Sequence, residues 1–125
     1  MNQVTTLALS AAVFLCAGAS AAMAQRAPPS YQADPGIYKV IFEDENFRVI
    51  AATWKKGERD KPHSHPVPSV AYSVTDCMSR VYQPDGKTSE GSNKAGTAHA
   101  VPITQSHSVE NIGPGVCSVV LVERK

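Results

Sequence analysis

Two of the chain's four histidines sit one residue apart, in the stretch KPHSHPVPS at residues 61–69. On an extended backbone, side chains two apart point to the same side, so His63 and His65 present their rings to one point about 6–7 Å apart at the backbone. A neutral imidazole nitrogen is the commonest biological ligand for a divalent transition metal, and two on one short strand make half of a site. Pro62, Pro66 and Pro68 frame the pair. Proline restricts the unfolded chain and holds the ring-bearing backbone in place. Taken by itself, a His-x-His pair is also what two surface histidines in a loop would look like.

The neighbouring residues add spacing. His63 follows Gly57 by six positions, giving G-x5-H-x-H. Further on, Gly96, Pro102, Thr104, His107 and Asn111 give G-x5-P-x-T-x2-H-x3-N. These windows resemble the paired signatures of the cupin superfamily, G-x5-H-x-H-x(3,4)-E-x6-G and G-x5-P-x-G-x2-H-x3-N, and the strand pattern extends the resemblance from about Val40 to the end of the chain. The resemblance implies a small jelly-roll β-barrel in which the two motifs meet, with His63, His65 and His107 matching the family's metal-ligand histidines. The cofactor it implies is a divalent transition metal, whether iron, manganese, zinc, nickel or copper, since a histidine-only site accepts several ions.

Three positions depart from the pattern. The family's glutamate falls at 69 or 70, where this chain has Ser69 and Val70; the second-motif glycine is Thr104; and the last glycine of the first motif is Cys77. Loss of the carboxylate has two opposite readings. Three neutral histidines can hold an ion with its charge uncompensated and coordination positions open, as in cupin dioxygenase-like enzymes acting on a small organic substrate. Alternatively, the barrel is a non-catalytic binder of a small molecule or a metal.

Several other residues are candidates around such a site. His99, three residues before Pro102, serves as a fourth ligand or proton shuttle if it faces inward and is an ordinary strand residue if it faces outward. The Tyr72 hydroxyl is a candidate to reach an open metal position, and Tyr72, Tyr82 and Trp54 are candidates for the cavity wall or plain core. Alternation from His107 places Glu110 on the opposite face from the ring. Asn111 is expected to tie down the turn before the GPG at 113–115.

The elements that must position these groups read as short strands. Residues 37–42, 47–54, 69–74, 78–82, 99–103, 107–112 and 116–124 are rich in Val, Ile, Tyr and Thr and are bounded by Gly, Pro, Asn and Asp. No sustained helical period occurs beyond the leader. Seven or more short strands in so small a chain predict an all-β sandwich or barrel, in line with the jelly roll.

The uncharged run from Leu7 to Ala24 ends in Ala22-Met23-Ala24, the pattern of a secretory signal peptide over residues 1–24. Residues 25–36, QRAPPSYQADPG, are expected to bury little and to form a flexible lead-in, leaving residues 37–125 as the single domain. A periplasmic or secreted location follows. It makes a disulfide between the remaining cysteines, Cys77 and Cys117, permissible, with two buried thiols as the alternative. In a jelly roll, the strand ending near Cys77 runs antiparallel to the last strand, which begins near Cys117, so the resemblance implies the pairing.

The formal charge is +1 with both signs interspersed, so neither a nucleic-acid stripe nor a membrane-binding basic face is expected. The expected partner is a small-molecule ligand or substrate. Open strand edges and the family's habits point to a homodimer.

Overall fold

The computed structural model describes residues 25–125; the leader expected over residues 1–24 lies outside them. One helical turn, α1 (Ser30–Ala33), precedes nine strands: β1 (Tyr38–Glu43), β2 (Phe47–Trp54), β3 (His63–His65), β4 (Ser69–Ser73), β5 (Cys77–Tyr82), β6 (Thr88–Asn93), β7 (Ala98–Val101), β8 (Thr104–Asn111) and β9 (Cys117–Arg124). They form a five-stranded sheet, β1-β2-β9-β4-β7, and a four-stranded sheet, β3-β8-β5-β6, with every strand pair antiparallel. Strands distant in sequence, such as β2 and β9 or β3 and β8, lie side by side. This is the all-β jelly roll that the strand pattern predicts.

The five-stranded sheet owes its inner face to strict alternation. In β4, Ser69, Ala71 and Ser73 are buried while Val70 and Tyr72 are exposed. Ala71 stands opposite Leu121 of β9, which stands opposite Ile50 of β2, and these three form one apolar row. A neighbouring row is polar. Glu123, only 1% exposed, lies opposite both Ser69 and Arg48, and the Arg48 guanidinium donates to its carboxylate at 3.1 Å. A buried carboxylate needs such a partner to remain charged.

The disulfide joins the sheets. Val74 N–H donates to the Ser118 carbonyl beside the β4–β9 ladder, which carries the chain past Cys117 as it leaves the five-stranded sheet. Cys77, the first residue of β5 in the other sheet, is bonded there to Cys117.

Three features differ from the strand pattern. β6 reads TSEGSN, with no large apolar residue, yet pairs with β5 along its whole length from Cys77↔Asn93 to Tyr82↔Thr88. An edge strand needs only backbone pairing on one side, so its exposed side chains carry no hydrophobic signature. β8 begins at Thr104, three residues before the expected start, because only one intervening residue separates Pro102 from the renewed ladder. The third difference lies at residues 25–36, which bury more than their composition implies. Ala27 N–H donates to the Gln105 carbonyl, Ser64 N–H donates to Pro28, Ser30 is fully buried, and α1 lies against β1 and β3. Backbone groups of the β3 edge and of the neighbouring β8 bulge find their partners in this segment.

Candidate metal centre

His63 and His65 lie on β3, whose short ladder to β8 sets His63 directly opposite His107. The next pairing is His65↔Thr104, so β8 spends three residues where β3 spends two. This bulge shifts the parity of β8 and lets both Thr104 and His107 line the interior. One ring nitrogen from each of His63, His65 and His107 lies within 4.8 Å of the others. The Nε2 atoms of His63 and His107 are 3.1 Å apart. The opposed rings therefore converge.

The tautomer of His63 follows from its contacts. Its Nδ1 lies 2.9 Å from the Lys61 carbonyl, which can only accept, so in the neutral ring Nδ1 carries the proton and Nε2 keeps a lone pair. Burial and the nearby His63 push His65 down to about 4. Burial, followed by the charges of His63 and His65, pushes His107 down to about 3. Both rings are neutral at pH 7, the state a metal requires. His65 Nδ1 is buried without a hydrogen-bond partner.

The residues fit a divalent ion. With metal–nitrogen bonds of about 2.0–2.1 Å, a 3.1 Å separation of the His63 and His107 nitrogens corresponds to an angle of about 95–100° at the metal, within the range of six-coordinate ions.

Behind His63 stands a carboxylate that the sequence patterns did not single out. Asp60 Oδ2 accepts from the Tyr38 hydroxyl at 2.7 Å and from Trp54 Nε1 at 3.1 Å, while Oδ1 accepts from Val109 N–H at 2.7 Å. Oδ1 also lies 3.6 Å from His63 Nδ1. Burial raises the Asp60 carboxyl; a positive charge on His63, when that ring is protonated, and these hydrogen bonds oppose the rise. Tyr38 is pushed well above its ordinary value by burial and by the Asp60 charge, so its hydroxyl keeps its proton. That hydroxyl lies 3.2 Å from His63 Nε2. Neither residue belongs to a spaced motif; only an Asp two positions before Pro62 and a Tyr in the first strand hinted at them.

The cluster opens on a cavity of about 320 Å³, walled mainly by apolar side chains such as Trp54, Ala71, Val81, Val109 and Leu121. That size is at the small end of pockets that take small molecules. The other sequence candidates divide by strand parity. Trp54 lines the cavity, as expected of a wall residue. His99 sits opposite Ala71 on the inner face of β7 and lines the cavity, but it is solvent-exposed and outside the three-histidine cluster.

Tyr72 is corrected by the alternation of β4: it points outward, 45% exposed, and does not line the cavity, so its hydroxyl faces away from the histidines. Tyr82 also leaves the cavity wall, because it shares the outer face of β5 and β8 with Glu110, to which its hydroxyl donates. Glu110 thus lies on the face away from His107, as alternation predicts. Asn111 anchors the turn: its amide donates to the carbonyls of Trp54, Lys55 and Gly115 and accepts from Gly113 N–H. At the glutamate position, Ser69 donates to the Val67 carbonyl.

No family profile matches the chain, and no curated protein matches it. Solved structures do. A cupin domain from Bordetella pertussis Tohama I superposes with a TM-score of 0.65 at 20% identity, covering 81% of this chain and 98% of its own. An RmlC-like cupin with a double-stranded β-helix fold from Methanocaldococcus jannaschii gives a TM-score of 0.57 at 14% identity, covering 70% and 78%. A polyketide cyclase from Streptomyces resistomycificus gives 0.53 at 18%, covering 70% and 63%. At these identities the likeness speaks for architecture, and it agrees with the strand order, the two-sheet closure and the meeting of the two motif strands: this chain has the fold of a small single-domain cupin.

Proposed function

We propose that the protein binds one divalent transition metal through His63, His65 and His107 and presents it to a small organic molecule in the adjoining cavity. The observation that carries this reading is the convergence of three buried or half-buried imidazole nitrogens within 4.8 Å of one another. Fixed rings need little reorganisation to bind a cation, and the low proton affinity of His65 and His107 weakens the proton as a competitor there. A bound divalent metal supplies Lewis acidity, and a redox-active one adds electron transfer.

The residues then act as follows. His63 is held in one tautomer by the Lys61 carbonyl. The mainly apolar wall lowers the local polarity around the cluster, which strengthens polar interactions there. His99, at the inner face of the edge strand, is placed to bind or to exchange protons with a ligand entering the cavity. Dioxygenase-like chemistry or another metal-assisted reaction on a chelating diketone, thiol or hydroxy acid suits this arrangement. Ser69 at the glutamate position favours the second reading, a binding protein without turnover.

The proposal includes export to the periplasm or beyond, directed by the leader of residues 1–24 and supported by the Cys77–Cys117 disulfide. Among the described residues, no helix is long and apolar enough to cross a membrane. It also includes a homodimer, which sedimentation equilibrium measures directly; β1 and β7 are the edge strands of the larger sheet.

Elemental analysis of protein from its native compartment tests the centre. Near-stoichiometric metal in the wild type, lost in His65→Ala and His107→Ala, is the expected result; equal metal in all three refutes it. A turnover screen with oxygen uptake separates enzyme from binder.

A further inference from the structure

Resting on the metal-binding reading above, we propose that the Tyr38 phenolic oxygen is a fourth donor to the cation held by the three histidines, presented by Asp60 in place of the carboxylate missing at Ser69 and Val70. The proton inventory around the cluster points this way. A carboxylate accepts and does not donate, so the Tyr38 hydroxyl, 2.7 Å from Asp60 Oδ2, directs its proton to Asp60. A lone pair of the phenol oxygen is then left toward His63 Nε2, 3.2 Å away. In the neutral ring, the form that binds a metal, that nitrogen is also bare, because the His63 proton is on Nδ1, facing the Lys61 carbonyl. Tyr38 oxygen and His63 Nε2 therefore face each other with no proton between them, and His107 Nε2 stands 3.1 Å from His63 Nε2. A proton on His107 Nε2 can bridge the His63–His107 contact, but the facing lone pairs of Tyr38 and His63 repel unless positive charge lies between them.

Distances agree with a shared ion. Donors 3.2 Å apart, each about 2.0–2.2 Å from a cation, subtend an angle of about 95–105°, close to that of the His63–His107 pair. The chemistry agrees as well. A phenol that donates to a carboxylate is a stronger oxygen donor, and the Asp60 charge one hydrogen bond away compensates an ion that three neutral imidazoles leave uncompensated. Tyr38 is also immobilised before any ion arrives: it is 2% exposed, its ring packs edge-on against Trp54 at 5.4 Å between centroids, and it lies 5.0 Å from the His63 ring. The other three tyrosines lie elsewhere, Tyr31 over Arg48 and Tyr72 and Tyr82 on outer faces.

The test uses the full mature protein with carbon-13 at tyrosine Cζ, titrated with Zn(II), and a parallel Co(II) titration of wild type and Tyr38→Phe followed by visible absorption. One of the four tyrosine resonances is expected to move in step with one equivalent of Zn(II), and to be the one absent from Tyr38→Phe. That variant is expected to bind at least about tenfold more weakly and to give an altered Co(II) spectrum. Should it fail to fold, the moving resonance is assigned by elimination with Tyr31→Phe, Tyr72→Phe and Tyr82→Phe. Stoichiometric metal with no tyrosine resonance displaced, or identical Co(II) affinity and spectrum in Tyr38→Phe, overturns the role of Tyr38 and leaves the three-histidine reading standing. A wild type that takes up no metal overturns both.

Discussion

At His65 and His107, burial and the neighbouring rings act in one direction, holding both side chains neutral down to about 4 and about 3. In the unfolded chain the same rings take up protons near 6.5. Below that pH the unfolded state binds more protons than the native one, so the metal-free protein loses stability as pH falls through 6.5, and the loss ends only as the native rings protonate near 4 and 3. Thermal melts of chelator-treated protein are therefore expected to be flat above about pH 7 and to drop steadily between 6.5 and 4. His107→Gln, which removes one of the two depressed groups, is expected to flatten that drop. The three histidines were legible because Gly57, Gly96, Pro102 and Asn111 stand at fixed distances from them. Tyr38 and Asp60 were not: Tyr38 reaches the cluster from the other sheet, a contact that leaves no spacing along the chain, and Asp60, three residues before His63, occupies a position to which the motif assigns no residue.

Asp60 belongs to the segment between β2 and β3 and accepts from three elements at once: Tyr38 of β1, Trp54 of β2 and Val109 of β8. Asp60→Ala leaves those buried donors without a partner and is expected to cost about 3–5 kcal/mol; Asp60→Asn, which keeps one acceptor oxygen, is expected to cost about half as much, both read from denaturant midpoints. Asn111 performs a similar task between the end of β2 and the β8–β9 turn. Asn111→Ala is expected to destabilise by about 2–4 kcal/mol on the same measurement, since it strands three carbonyls and the Gly113 N–H. Elements built from Val, Ile and aromatic residues were readable as strands because their side chains must be hidden. β6 was not, because its pairing is all backbone. Tyr72 was misjudged for a related reason: proximity to a motif says nothing of face, and one residue of parity separates Ala71, inside, from Tyr72, outside.

For the molecule as a whole, the large core side chains are few, among them Ile37, Tyr38, Ile50, Trp54 and Leu121, and the last two and Tyr38 line a cavity where a larger domain would have packed interior. Such a chain depends on its cross-link. The Cys77–Cys117 bond spans a sequence separation of 40, for which loop closure predicts about 4 kcal/mol, a large share of the total stability of a small domain. Cys77→Ala/Cys117→Ala is expected to melt far lower than wild type yet, while folded, to bind metal with unchanged stoichiometry, because the ligand strands β3 and β8 hydrogen-bond to each other. Fold class, jelly-roll topology and this bond were all legible, as they depend on strand count and motif order. The packing of residues 25–36 was not, because polar segments that dock by backbone hydrogen bonds look like linkers. The position of the bond also governs what the cavity accepts. Cys77 and Cys117 line the same cavity as His65 and His107; as free thiols they would be soft donors opening on that space, able to compete with imidazole for cuprous or zinc ions. Bonded to each other, the two sulfurs offer no thiolate, so on the proposed metal-binding reading the choice of ion would rest with the imidazoles.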